Sequence, residues 1–234
     1  MTKSTRKTDI AVTIISVIVI AISAWWLFNS GAMSIPLDQD PKLSWHLVRS
    51  AGIFSYVLLL ASTIWGLFIS GQIVKDWSPG PVSMTLHATV SWLAVILGLG
   101  HGLLLMLDDY FTYTLSDILV PFTGPYRPEV VGLGTLAFWL LLIISLSFPF
   151  KKHMGHKLWL TLHLTSYVAF GMVTLHGLFA GTDSTLLGFR ILISVGVLSV
   201  LTLLVIRMRR DRNKAHQRQA SRRAVRQQKS TLAN

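Results

Sequence analysis

Two apolar stretches of the chain carry histidines at nearly matched spacing. LHATVSWLAVILGLGHG holds His87 and His101, 14 residues apart, and LHLTSYVAFGMVTLHG holds His163 and His176, 13 residues apart. Each stretch is long enough to cross a bilayer as a helix, so each sets imidazoles near both ends of the apolar layer, about 20 Å apart at about 1.5 Å rise per residue. An imidazole there needs a partner, because a polar group stripped of water and left unpaired is strongly disfavoured. Axial ligation of heme iron supplies one, and two helices with two rungs each can hold two hemes, one above the other. The plainer reading of any single such histidine is a hydrogen bond to a neighbouring helix. For the set of four, the matched spacing favours ligation, since ionisable residues inside a membrane are rare and usually functional.

Periodicity constrains the two helices differently. Fourteen residues at about 100° each return to within roughly 40° of the starting face, so His87 and His101 can share one side of their helix. The 13-residue step from His163 to His176 leaves a mismatch of roughly 140°, so that helix must bend, overwind or present its imidazoles from different flanks. Gly171 lies between them and can permit the distortion. Gly98, Gly100, Gly102 and Gly177 flank the two later histidines and would let a flat macrocycle approach the backbone, unless they serve helix packing.

These motifs resemble the ferric reductase-like transmembrane superfamily, the membrane domains of ferric reductases and NADPH oxidases, and especially its short bacterial members. The resemblance covers roughly residues 45 to 207. It is carried by H-x13-H and H-x12-H on two helices, WHLVRSAGIFSY on an earlier one, the loop VPFTGPYRP, and HGLFAGTD. In that family the two histidine helices run the same way and pair first with first. The resemblance therefore implies two heme b groups, an inner one on His87 and His163 and an outer one on His101 and His176.

The elements that must hold these residues follow from composition. With 52% hydrophobic residues in 234, the chain reads as a single-domain, all-α integral membrane protein. From Arg207 onward ten Lys or Arg stand against Asp211 alone, which accounts for most of the net charge of +11. That basicity describes a tail facing the cytoplasm, solvated or touching anionic lipid or an acidic partner, and not a nucleic-acid surface. The absence of cysteine excludes disulfides, thiolate-ligated heme and cysteine-held iron–sulfur clusters.

Hydropathy and charge then predict a six-transmembrane-helix bundle over residues 10–206, with residues 1–9 and the basic tail 207–234 both cytoplasmic. The spans are expected at Ile10–Phe28 and near Trp45–Ser70, Ser83–Leu107, Val130–Phe150, Leu158–Phe179 and Leu187–Ile206. A multi-pass position in the inner (plasma) membrane follows. Arg49, three residues after His46, is placed either to clamp heme propionates through its planar fork or to snorkel to the headgroups. Arg190 opens the last helix with the same two readings, and Arg127, in the long loop expected over the outer heme, is a third cofactor-binding candidate. Lys151, Lys152 and Lys157 flank His153 and His156 in an inner loop, where the lysines can neutralise inner propionates. Trp92, Tyr167 and Phe170 lie at depths between the two sites, as packing residues or as a path for electrons. The acidic residues Asp108, Asp109, Asp117, Glu129 and Asp183 form an outer rim that can attract a cationic substrate, or simply a solvated one.

Bis-histidine iron has no open axial position, so such hemes carry electrons and do little else. The expected function is a di-heme b-type cytochrome delivering electrons to an outer acceptor such as ferric iron, oxygen or a partner protein. No strand followed by G-x-G-x-x-G exists, the glycines of VGLGT reading as packing glycines, so no flavin or NAD site is expected. Electrons must come from a separate flavoprotein reductase or from membrane quinol. A neighbouring reading is the heme-binding membrane subunit of a periplasmic methionine sulfoxide reductase. A different class, a heme-free histidine-containing transporter, fits less well because the expected spans carry no Asp or Glu.

Overall fold

In the computed structural model, residues 43–74, 78–107 and 111–232 are described. The expected first span, Ile10–Phe28, and the candidates Asp108 and Asp109 lie outside the described residues. Among those described, the chain is all-helical, and five helices are long and apolar enough to cross a membrane.

Helix α1 (Leu43–Ser70) ends in a Schellman-type turn. Gln72 takes a left-handed φ of 57°, and Ile73 N–H bonds the Phe68 carbonyl at 2.9 Å, closing orphan carbonyls that a helix end otherwise leaves open. Helix α2 (Gly80–Leu104) starts with proline in its first turn, where no N–H is needed, and finishes as a 3-10 turn over Leu105–Leu107. A short α3 (Leu115–Leu119) sits in the long loop. It is set by a capping box in which Thr114 and Asp117 exchange side-chain and backbone bonds, and these hold the Asp117 carboxyl below its usual range.

Helix α4 (Pro128–Ser147) follows Arg127, itself left-handed at φ 39°. A single turn, α5 (Lys151–Met154), leads through Gly155, whose φ of 79° suits only glycine comfortably, into α6 (His156–Leu164) and α7 (Ser166–Ala180). Thr182–Thr185 form a 3-10 turn before the final helix, α8 (Leu187–Leu232).

The helices α4 and α7 pack most closely. The buried core joins Tyr56, Leu59, Leu60 and Leu67 of α1 with Ala94 of α2, Phe170 of α7, and Ile193 and Val200 of α8. Gly196 of α8 lets Leu60 come so close that a Cβ there would collide with it. The outward faces stay apolar: Ile96, Val168 and Leu198 are 58, 60 and 63% exposed, as expected of side chains that meet lipid. The chain is thus a multi-pass α-helical membrane protein.

One boundary differs from expectation. The last span was expected to end near Ile206, yet α8 continues through the basic segment to Leu232. After Gly196 the sequence has neither glycine nor proline and is rich in Arg, Gln, Ala and Lys, all good helix formers, so nothing stops the helix where the apolar run ends.

Candidate functional site

Helix α1 supplies two nearly identical seats for the histidines of α2. The helices run antiparallel: the Val48 carbonyl accepts from His101 Nδ1 at 2.8 Å, Ser55 Oγ donates to the Ala94 carbonyl, and the Ser62 carbonyl lies 3.1 Å from His87 Nδ1. A carbonyl can only accept, so each of these ring nitrogens carries the proton and Nε2 is the nitrogen left with a lone pair.

Why those carbonyls are open is legible four residues on. Helical side chains lean toward the N-terminus, so the Cβ of residue i+4 would cover carbonyl i. Position i+4 is glycine in both seats. A Cβ on Gly52 would come 2.9 Å from His101 Nδ1, and one on Gly66 would come 3.1 Å from His87 Cε1. Val48 and Ser62, and Gly52 and Gly66, are each 14 residues apart, the spacing of His87 and His101 themselves.

The same device recurs on α4. His176 Nδ1 donates to the Val130 carbonyl at 3.0 Å, and a Cβ on Gly134 would lie 2.8 Å from that nitrogen. His163 is the exception. Fourteen residues beyond Gly134 stands Phe148, which packs on Trp159, and Trp159 in turn stacks on His163 at 4.9 Å with the planes 13° apart. His163 makes no hydrogen bond among the described residues. Around His87 a closed ring of bonds adds hydroxyls: Ser62 Oγ lies 3.2 Å from Nδ1 and 2.6 Å from Ser91 Oγ, and Ser91 donates to the His87 carbonyl at 2.7 Å.

The four imidazoles meet as two pairs, and these are the pairs the family resemblance implied. His87 and His163 have ring centres 6.0 Å apart with planes at 75°; His101 and His176 have them 6.1 Å apart at 76°. Two imidazoles bound on opposite sides of one metal, with bonds of about 2.0 Å and each Nε2 about 1.1 Å from its ring centre, would have centres about 6.2 Å apart. Both pairs meet that separation. Each pair would supply two nitrogen donors to a metal held between its rings, and among the described residues no group of three or more His, Cys, Asp or Glu is placed to hold a bare metal ion. A macrocycle that brings four nitrogens of its own matches that donor set, and the Nδ1 bonds to carbonyls are the usual second shell of a metal-bound imidazole. The residues therefore fit heme.

Along α2 the two pairs lie about 21 Å apart, from 14 residues at about 1.5 Å each. Between them Phe170 is buried and stacks with Tyr56 at 6.0 Å. In the sequence Tyr56 is only the last residue of WHLVRSAGIFSY, with nothing to mark it as a contact of Phe170. Trp92 is 37% exposed, whereas Tyr167, its hydroxyl bonded to Arg207, packs against the same core cluster.

The three arginines gather toward the His101 end, each with a protein acceptor. Arg49 follows Val48, lies 3.8 Å over the Trp45 ring and pairs with the buried carboxylate of Asp183. Arg127 donates to the Phe179 carbonyl, and Arg190 to the Ser184 carbonyl at 2.6 Å. His46, His153 and His156 are exposed and belong to neither imidazole pair.

One local expectation needs correction. The helix carrying His163 and His176 breaks at Thr165, not Gly171: Thr165 N–H and Oγ1 both turn back to the Leu162 carbonyl, a tight three-residue turn that overwinds the chain. Of the glycines flanking the later histidines, Gly98 faces Ser55, Gly102 faces Ile118 and Gly177 faces Phe189, as packing glycines do, and Gly100 has open space. Gly134 of the VGLGT run, expected only to pack, abuts His176, as Gly52 and Gly66 abut His101 and His87.

No protein-family model, curated protein sequence or solved structure matches the chain.

Proposed function

We propose that this protein is a di-heme b-type membrane cytochrome that carries electrons across the bilayer, with His87 and His163 holding one heme and His101 and His176 the other. The observation that carries the reading is the pair of imidazole separations, 6.0 and 6.1 Å, repeated at two depths. Heme, when bound, supplies one-electron exchange between ferric and ferrous iron without an open coordination site.

The chain's own part is to fix ligand geometry and exclude water. Carbonyls of Val48, Ser62 and Val130 hold three of the rings in one tautomer, so Nε2 is ready to bind without rearrangement. Buried Tyr56 and Phe170 keep the space between the sites dry, which preserves a low dielectric between them. Arg49, Arg127 and Arg190 lie toward the His101 end, and the guanidinium N–H groups not engaged by Asp183, Phe179 and Ser184 would hold the carboxylates of a heme there, a partner that Arg's fork suits. The donor is proposed to be a separate flavoprotein reductase or membrane quinol, and the acceptor an outer-face metal ion, oxygen or partner protein. The proposed placement is a cell's inner membrane, with both termini in the cytoplasm.

The test is transmembrane transfer. Proteoliposomes loaded with ferricyanide, which does not cross lipid, are given dithionite outside. Heme-loaded protein is expected to reduce the trapped ferricyanide, and a His101→Ala chain, left with one heme, is expected not to. Equal rates for the wild type, the variant and heme-free protein would overturn the proposal.

A further inference from the structure

The inference concerns Trp159, and it rests on the proposed heme at His87 and His163. Trp159 is 7% exposed, and its Nε1–H is the one buried side-chain nitrogen or oxygen among the described residues with no hydrogen-bond partner. An indole nitrogen only donates, and a donor shut away from water without an acceptor is rare in folded proteins because it forfeits the bond it made to water. An acceptor from outside the chain is therefore expected beside it.

Three features say what kind. The indole lies flat on His163 at 4.9 Å, so the ring that carries the unpartnered N–H sits at the flank of the His87–His163 pair. Lys151 Nζ lies 4.2 Å above the same indole ring, and among the described residues no carboxylate lies within ion-pair distance of Lys151. A half-buried ammonium without an anion and an N–H without an acceptor thus share one aromatic ring. The other end of the bundle is arranged differently: there Arg49, Arg127 and Arg190 already have protein oxygens as partners.

We propose that Trp159 Nε1–H and Lys151 together bind a carboxylate of the heme held by His87 and His163, so that this heme's carboxylates point toward the α5–α6 turn. Phe148, packed on Trp159 at 6.0 Å, then serves to hold the indole edge-on to that carboxylate, in the place where the other seats have glycine. The same chemistry could come from a lipid phosphate, and the choice of heme separates the two sources.

The experiment uses purified full-length protein loaded with either heme b or its dimethyl ester, and follows release of each heme equivalent to excess apomyoglobin. Trp159→Phe keeps an aromatic ring against His163 and removes the N–H with part of the indole, a loss of ring area that the ester comparison cancels; Lys151→Gln removes the charge and keeps a polar side chain. With heme b, one of the two heme equivalents should leave about tenfold faster in Trp159→Phe, the smallest change expected on losing a hydrogen bond to a charged group. With the ester, the variant and wild type should release heme at the same rate. A Trp159→Phe chain that matches wild type with heme b overturns the proposal, and so does one whose defect persists with the ester, which would mean ring packing or a lipid anion. Should Trp159→Phe not fold, Lys151→Gln carries the same comparison. Wild type that takes up no heme overturns the proposed function itself; two hemes in wild type with no difference between variants overturns only this inference.

Discussion

Gly52→Ala adds one methyl group in a place where the structure leaves none to spare. The new Cβ would come 2.9 Å from His101 Nδ1 and 3.0 Å from Cε1, whereas ordinary contact begins at 3.4 Å. His101 cannot withdraw freely, because its Nδ1–H is tied to the Val48 carbonyl at 2.8 Å on the same helix face. Backing off by about half an ångström lengthens that bond to roughly 3.3 Å, near the limit at which it still counts as one. Overpacking of this kind costs about 1–3 kcal/mol and a weakened neutral hydrogen bond about 0.5–1.5 kcal/mol. A total of about 2 kcal/mol or more corresponds to roughly thirtyfold weaker heme retention at the His101–His176 pair. The assay is heme per chain after dilution in detergent, with Gly188→Ala as control, since a Cβ at Gly188 meets nothing within 4 Å. The variant should lose one heme equivalent selectively while the control keeps both. If Gly52→Ala keeps both hemes with unchanged spectra, or loses both at the same rate with its helices intact, the seat described for His101 is wrong.

Other expectations are quickly stated. Ser62→Ala opens the hydroxyl ring around His87, leaves its imidazole less electron-rich, and should raise one of two midpoint potentials in a spectroelectrochemical titration while the other stays put. Asp183→Asn strands the Arg49 guanidinium, and because that side chain is 25% exposed the loss should be below the full buried-pair cost, about 2 kcal/mol, read as a lower thermal midpoint in detergent. The side-chain and backbone bonds from Thr114 hold the Asp117 carboxyl below the ordinary carboxylate range, so its contribution to the loop helix is complete above that range and lost as pH falls through the depressed value. Limited proteolysis of the 111–127 loop should therefore quicken only in strong acid, and no acceleration relative to Asp117→Asn would contradict the capping role.

What was legible in the sequence depended on whether the signal lay in a side chain. Hydropathy and charge marked the first four described spans to within a few residues and the start of the fifth, because both features act locally along one helix; the end of the fifth helix they did not mark. The four histidines stood out by type and spacing, and the resemblance paired them as the structure does. Their seats were harder to see, since the partners of three histidines are backbone carbonyls, which no residue type announces. A signal did exist: Gly52 and Gly66 repeat at the same 14-residue interval as His87 and His101. It was passed over in favour of glycines adjacent in sequence to the histidines, which across a helix bundle face elsewhere. The distortion near His163 was expected from the angular mismatch but placed at Gly171, because glycine is the familiar weak point; the threonine hydroxyl that closes the turn at Thr165 competes with the helix just as effectively. Tyr56 was missed because its stacking partner, Phe170, lies on another helix more than 100 residues away, beyond the reach of any local pattern.

The most direct measurement is the reduced-minus-oxidised absorption spectrum of the purified protein, with heme counted per chain by pyridine hemochrome. Imidazoles facing each other at two depths require low-spin b-type bands and two hemes for every chain. A colourless protein from heme-replete cells, or a folded one that never holds more than a single heme, would contradict the account at its base.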